Sequence, residues 1–325
     1  MTVNILEVSD LKIYYQTVKG VVKAVDGVDF FVEEGSSVGL AGESGCGKTT
    51  LGLSLLKLLP SNGIVESGSV SFKGLDVYTL KEKEFREEIR WKMFSMIFQG
   101  AMNALNPVFK VENQIAEAIL LHERMPIREA IKIARDLLKR VDIDPVMGSQ
   151  YPHEFSGGMR QRAMIAMALA CNPQLVIADE PTTALDVIVQ KQLMELLRRL
   201  KREMNLSLIV ISHDISVLAE LCDYLNIMYA GRIAEWGEIN EIFENPLHHY
   251  THGLISTFPT VQDEHRKSKF EFIPGAPPNL LDPPEGCRFH PRCEAATDVC
   301  KREPPPPMER VSQKHFVACH HPKGD

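Results

Sequence analysis

The sequence predicts an α/β fold with a mainly parallel sheet, and three observations carry that prediction. "SSVGLA" (36–41) reads as a short buried strand that runs into "GESGCGKTT" and then into the apolar helix "LGLSLLKLL". Strand, glycine loop and helix in that order make a phosphate-binding unit. Further runs rich in Ile, Val and Leu follow at "FSMIF" (94–98), "QLVIAD" (174–179), "SLIVIS" (207–212) and "LNIMYA" (225–230). They lack clean polar alternation, as strands covered on both faces do. Helical patterns separate them, clearest in "VIVQKQLMELLRRLKREM" (187–204), whose apolar positions recur at helical spacing. Strands alternating with helices make a parallel sheet.

The other elements fall around this core. The stretch to about residue 35, and "SVSFKGLDV", read as short antiparallel strands. Residues 101–170 hold consecutive helical patterns, "VENQIAEAILLHERM" and "IREAIKIARDLLKRV", with no strand between them, which reads as a helical insertion. After Asn245 proline becomes frequent and apolar periodicity fades. We therefore expect a domain over 1–245 and a loop-rich C-terminal extension over 246–325.

Composition bounds the function. The 325 residues are 44% hydrophobic and 24% charged with a net charge of −7, so there is no basic excess of the kind that binds nucleic acid. The first residues lack the basic start and apolar run of a signal peptide, and no apolar run is long enough for a bilayer. A chain made in the cytosol, with any membrane role exercised through a partner, is the expectation. Seven cysteines in a reducing compartment argue against a disulfide framework.

Several residues carry chemistry. Gly42 to Thr49 match G-x-x-x-x-G-K-[ST]. Through Gly42, Ser44, Gly45, Cys46 and Gly47 the backbone N–H groups close around phosphates, Lys48 reaches the terminal phosphates, and the Thr49 hydroxyl ligates Mg²⁺. Thr50 continues into the helix, whose N-terminal dipole adds to the site. In "LVIADE", Asp179 and Glu180 stand at a strand end, the first suited to Mg²⁺ and the second to polarising water. Ser156, Gly157 and Gly158 open a helical run, which alone reads as a plain N-cap and in company as a second anion site. His213 and Gln99 also stand at strand ends, and each is weak alone.

In sequence and order these motifs resemble the ATPase subunit of ATP-binding cassette (ABC) transporters, a P-loop NTPase fold with an antiparallel β subdomain and an inserted helical subdomain. The resemblance runs from about residue 3 to 245. It rests on Gly42–Thr49, Gln99, Ser156-Gly157-Gly158-Met159, Asp179, Glu180, Ala184-Leu185-Asp186 and His213, with Tyr15 at the place of the adenine-stacking aromatic. Met159 stands where the family more often has Gln. The resemblance implies two cassettes facing head to tail, the phosphate loop of one and the Ser156 region of the other closing on one ATP with Mg²⁺. It makes Glu180 the general base and puts His213 on the γ-phosphate. Gln99 becomes a Mg²⁺ ligand that senses nucleotide and membrane partner, and Asp186 part of the nucleotide set.

"NPLHHYTHGLI" (245–255), "PGAPPNLLDPPEGCRFHPRC" (274–293) and "GAMNALNP" after Gln99 resemble ATPases that serve oligopeptide, dipeptide and nickel importers, although His249 stands where those chains usually have proline. That implies two transmembrane permease subunits, a second ABC ATPase, identical or paralogous, and indirectly an extracytoplasmic substrate-binding protein. The place implied is the cytoplasmic face of a bacterial or archaeal membrane. Peptide is the implied cargo. Nickel or another small solute, or a soluble ABC ATPase without a transport role, are the alternatives.

Cys287, Cys293, Cys300 and Cys319 follow C-x5-C-x6-C-x18-C, without the tight pairs usual for structural zinc. A [4Fe–4S] cluster suits wider spacing, since it takes a thiolate at each corner. The extension resembles that of importer ATPases which bind such a cluster through such cysteines. Zinc and no metal remain open. His248, His249 and His252 read as a polar helix start, and Cys171 and Cys222 as core.

Overall fold

Leu175–Asp179, Ser207–Ile211 and Phe94–Ile97 are buried at every position, which is why their sequences show continuous apolar runs instead of alternation. The computed structural model describes residues 3–100, 104–257 and 273–324. It divides into two compact units. Residues 101–103 of the "GAMNALNP" run lie outside the described residues.

The first unit comprises Met1–Ile5, Val32–Ser37 and Asp76–Ile211. Leu175–Asp179 runs parallel to Phe94–Ile97 on one side and to Ser207–Ile211 on the other, with Asp179 opposite Ile211. Helices follow the predicted patterns. Ile127–Arg140 buries Ala130, Ala134, Leu137 and Leu138, one stripe at helical spacing. An ion pair of 2.7 Å between Arg135 and Glu112 links it to Val111–His122. Val187–Met204 matches the predicted span. Asp186 caps it, accepting from the Val189 N–H at 2.9 Å, and Asn205 ends it in the left-handed conformation. Leu193, Leu196, Leu197 and Leu200 form its buried face, each contributing about 2 kcal/mol.

The second unit comprises Leu6–Phe31, Val38–Leu75 and Ser212–Asp325. Asn4–Thr17 pairs antiparallel with Gly63–Phe72, and Gly20–Glu33 flanks it on the other side. The first two strands run 14 residues each, longer than the short strands expected, joined by a tight turn between Thr17 and Gly20, and the first continues through an irregularity at Ser9–Ile13. Ser37–Ala41 runs parallel to Tyr224–Tyr229, with Val38 opposite Tyr224. Tyr224–Tyr229 then pairs antiparallel with Arg232–Glu238. The extension is loop-rich, as expected, but it also adds His315–Val317 to Arg232–Glu238 and Glu309–Ser312 beyond it. Strands of three and four residues are too short for periodicity to reveal. Among the described residues no helix is long and apolar enough to cross a membrane.

Glu235 ties this unit together. It is fully buried, and its carboxylate accepts from the N–H groups of Leu247 and His248, both at 2.8 Å. His315 Nε2 lies 2.7 Å from the same carboxylate. Three partners offset the cost of burying the group. Glu235→Ala strands those partners and should destabilise the protein by about 3 kcal/mol. A thermal melt checks this: a Tm equal to that of the wild type would mean the network holds nothing.

Candidate nucleotide site and cysteine cavity

The phosphate loop links Ser37–Ala41 to the helix Lys48–Leu55. Its conformation follows from sterics. Gly42, Gly45 and Gly47 have φ of 147°, 79° and 108°. A Cβ on Gly42 would lie 2.1 Å from the Met228 carbonyl oxygen, and one on Gly47 2.2 Å from that of Ala24. No side chain fits at either place. The Lys48 ammonium is buried and donates to the carbonyls of Gly42 at 2.7 Å and Glu43 at 3.0 Å. Ser44, Gly45 and Thr49 are exposed. The Tyr15 hydroxyl donates to Thr50 Oγ1 at 3.1 Å, which brings the aromatic to the first turn of the helix. His213 is exposed, beside Asp214, which caps Ile215–Leu221. A helix start can lower a thiol's pKa, but Cys46 goes the other way: burial pushes it up against the pull of Lys48.

The other motif residues lie in the first unit. Asp179 ends its strand almost wholly buried. Glu180 adopts the left-handed conformation, φ 50°, a strain of about 1 kcal/mol where the backbone departs from the strand direction. Its N–H donates to Ile211 O at 2.9 Å, and Thr183 Oγ1 donates to its carboxylate at 3.1 Å. Ser156 caps Gly157–Ala168, accepting from the Met159 N–H at 3.3 Å, so the plain N-cap geometry is present. A Cβ on Gly158 would lie 2.9 Å from Val189, in the first turn of the helix that Asp186 caps, which requires a small residue there. Gln99 is exposed, two residues past Phe94–Ile97. Cys171 is half-buried with its thiol near Ala118 O, and Cys222, in the second unit, is buried.

The four clustered cysteines come from four local settings. Cys287 begins a loop, Cys293 follows the turn His290–Arg292, Cys300 lies in the helix Asp298–Arg302, and Cys319 follows His315–Val317. All four line one cavity, together with Phe289 and His320. The Cys287 N–H donates to Cys300 O at 2.8 Å, and Gly286 has no room for a Cβ beside that carbonyl. Burial pushes the thiols of Cys287, Cys293 and Cys319 up, Cys319 to about 11, and the neighbouring cysteines add to the shift. Among the described residues no three His, Cys, Asp or Glu side chains are placed to hold a metal ion. His248 caps the helix His249–Ser256 through Nδ1, which accepts from the Tyr250 N–H at 3.0 Å. Burial lowers its pKa to about 4, so the ring stays neutral. The polar helix start is thus realised.

Three residues escaped the sequence reading. Arg292 pairs with Glu43 of the phosphate loop, and the buried Tyr250 hydroxyl accepts from the Glu43 N–H at 2.9 Å. Separations of 249 and 207 residues leave no local pattern to find.

The family model described as ABC transporter matches residues 25–183, and that described as oligopeptide/dipeptide transporter, C-terminal region, matches 234–300. The chain is 44% identical over 320 residues to the oligopeptide transport ATP-binding protein OppD of Salmonella typhimurium, covering 98% of this chain and 94% of that protein. It is 42% identical over 318 residues to the dipeptide transport ATP-binding protein DppD of Caldanaerobacter subterraneus subsp. tengcongensis, covering 97% and 96%. Among solved structures it is similar to dimeric MJ0796, a bacterial ABC transporter cassette, with TM-score 0.64 and 27% identity over 72% of this chain and 98% of that one. Its fold is that of an ABC ATPase cassette, and the chain belongs to the ATP-binding subunits of ABC transporters, in the oligopeptide/dipeptide group.

Proposed function

We propose that this chain binds and hydrolyses ATP to power import of di- and oligopeptides through partner membrane permeases. The observation that carries the reading is the phosphate loop, whose Gly42 and Gly47 admit no side chain and whose Lys48 is held by the loop's own carbonyls. The kinship with oligopeptide and dipeptide transport proteins along nearly the whole chain supports the cargo class. In this reading residues 1–245 are the cassette, with its helical part at about 101–170, and 246–325 the extension. Tyr15 stacks on adenine, and Gly42, Ser44, Gly45, Cys46, Gly47, Lys48, Thr49 and Thr50 cradle the phosphates. Thr49, Asp179 and Gln99 take Mg²⁺. Glu180 polarises the attacking water, and its departure from the strand direction supports that role. His213 contacts the γ-phosphate, while Ser156, Gly157, Gly158 and Asp186 serve the ATP of a second cassette. The partners are that cassette, two permeases and, indirectly, an extracytoplasmic binding protein, with this chain peripheral on the cytoplasmic face.

Cys287, Cys293, Cys300 and Cys319 hold a [4Fe–4S] cluster in the same reading. Four thiols on one cavity, each from a separate segment, fit a cluster with one thiolate at each iron corner. A bound cluster would supply a structural tie in a region with little apolar core.

Glu180→Gln should keep ATP affinity and lower turnover by about 100-fold or more, whereas Lys48→Ala should weaken ATP binding. Hydrolysis by Glu180→Gln at the wild-type rate would remove the base assignment. In the assembled transporter Gln99→Ala should depress transport more than basal ATPase activity. Equal loss of both would confine Gln99 to catalysis. Protein purified without oxygen should be brown, with iron and sulfide near about four per chain, and Cys293→Ser should bleach it. A colourless anaerobic preparation with stoichiometric zinc would overturn the cluster.

A further inference from the structure

Arg292 sits between Cys287 and Cys293, at the end of the turn His290–Arg292. Its guanidinium meets the Glu43 carboxylate fork to fork, Nη1 to Oε2 at 2.6 Å and Nη2 to Oε1 at 2.9 Å. Nε donates to Pro274 O at 2.7 Å and Nη1 to the Tyr229 hydroxyl at 3.2 Å. The side chain is only 6% exposed and lies over the rings of Tyr229 and Phe289. A planar fork with these partners cannot be reproduced by an ammonium group. The hydrogen bonds to Glu43, the largest effect, keep the guanidinium firmly protonated.

Glu43 is the first variable residue of the phosphate loop, and its backbone is also fully engaged. Its N–H donates to Tyr250, and its carbonyl accepts from Lys48 Nζ at 3.0 Å and from the Cys46 N–H at 3.3 Å. Any rotation at Glu43 therefore moves a carbonyl that holds the phosphate-reaching lysine. An unpaired carboxylate on this loop would also repel an anionic ligand. Arg292 controls both effects, and its own place is set by the cysteine-bearing turn.

We propose that Arg292 is a positioning residue for the phosphate loop, and that through the Arg292–Glu43 pair the order of the cysteine-lined segment sets nucleotide affinity. The proposal rests on the ATPase reading above. Nothing in it needs Arg292 to touch nucleotide.

The test uses the full chain, prepared without oxygen, with a fluorescent trinitrophenyl-ATP for Kd and steady-state ATP hydrolysis for KM and kcat. Arg292→Ala should raise Kd and KM by about tenfold and leave kcat within about twofold, the effect of losing one bidentate pair. Arg292→Lys should fall short of rescue. Removing the carboxylate as well, in Arg292→Ala with Glu43→Ala, should bring KM back toward the wild-type value. Cys293→Ser should raise Kd in the wild type and add nothing to Arg292→Ala. A purely structural tie predicts otherwise: a smaller active fraction, with KM unchanged in Arg292→Ala and no recovery in the double variant. That result overturns the proposal. If Arg292→Ala does not fold, Arg292→Lys, which keeps a cation but loses the fork to Glu43, should raise KM in the same direction by a smaller factor, and an unchanged KM there overturns it. A wild-type chain that binds no nucleotide removes the ATPase reading and this one together, whereas normal wild-type binding with an unchanged KM in the variants removes only this one.

Discussion

The carbonyl oxygens of Met228 and Ala24 press against Gly42 and Gly47 so closely that no Cβ could stand between them. This contact fixes the phosphate loop, and much of the second unit serves to hold the two carbonyls where they are. The Gly231 N–H donates to Cys46 O at 2.9 Å, and the Asp26 N–H donates to Gly231 O at 2.8 Å. Arg288 reaches both Ala230 O and the Asp26 carboxylate. The loop is shaped from outside as much as by its own glycines.

Buried charge takes part in this holding. Asp26 accepts from Tyr14 at 2.7 Å and from Arg232 at 3.2 Å, besides Arg288. Burial alone would raise its pKa, but the Tyr14 hydrogen bond and the charges of Arg288 and Arg232 win and hold the carboxyl below its ordinary value of 3.8. The stabilisation is full above that value and is lost as pH falls below it. Arg288, Arg292 and Glu235 are likewise buried and paired. Such groups stabilise little relative to apolar replacements, yet losing one partner is costly. They therefore specify which segments meet, more than how tightly.

What the sequence made legible was local. The phosphate loop announced itself by spacing, Val187–Met204 by its apolar stripe, and the inner strands by uninterrupted Ile, Val and Leu. Asp179, Glu180 and His213 could be placed at strand ends because short apolar runs stop there. What stayed hidden was long-range. The pairs Arg292 with Glu43 and Arg288 with Asp26 span 249 and 262 residues. The two strands of the extension, three and four residues long, carry no period to detect. The cysteines were conspicuous as a group, but their meeting in one cavity depends on turns and a short helix, such as Asp298–Arg302, that composition alone does not reveal.

Glu235 also governs how such a chain can be rearranged. Its strand lies before the change of composition at Asn245, while its partners Leu247, His248 and His315 come from beyond it. The boundary visible in composition is therefore not a seam. A graft of the extension between relatives would have to carry the strand Arg232–Glu238 with it, or bring a carboxylate that meets the same three partners. Inheritance of this region should then proceed as one block, with the acid and its receptors changing together or not at all.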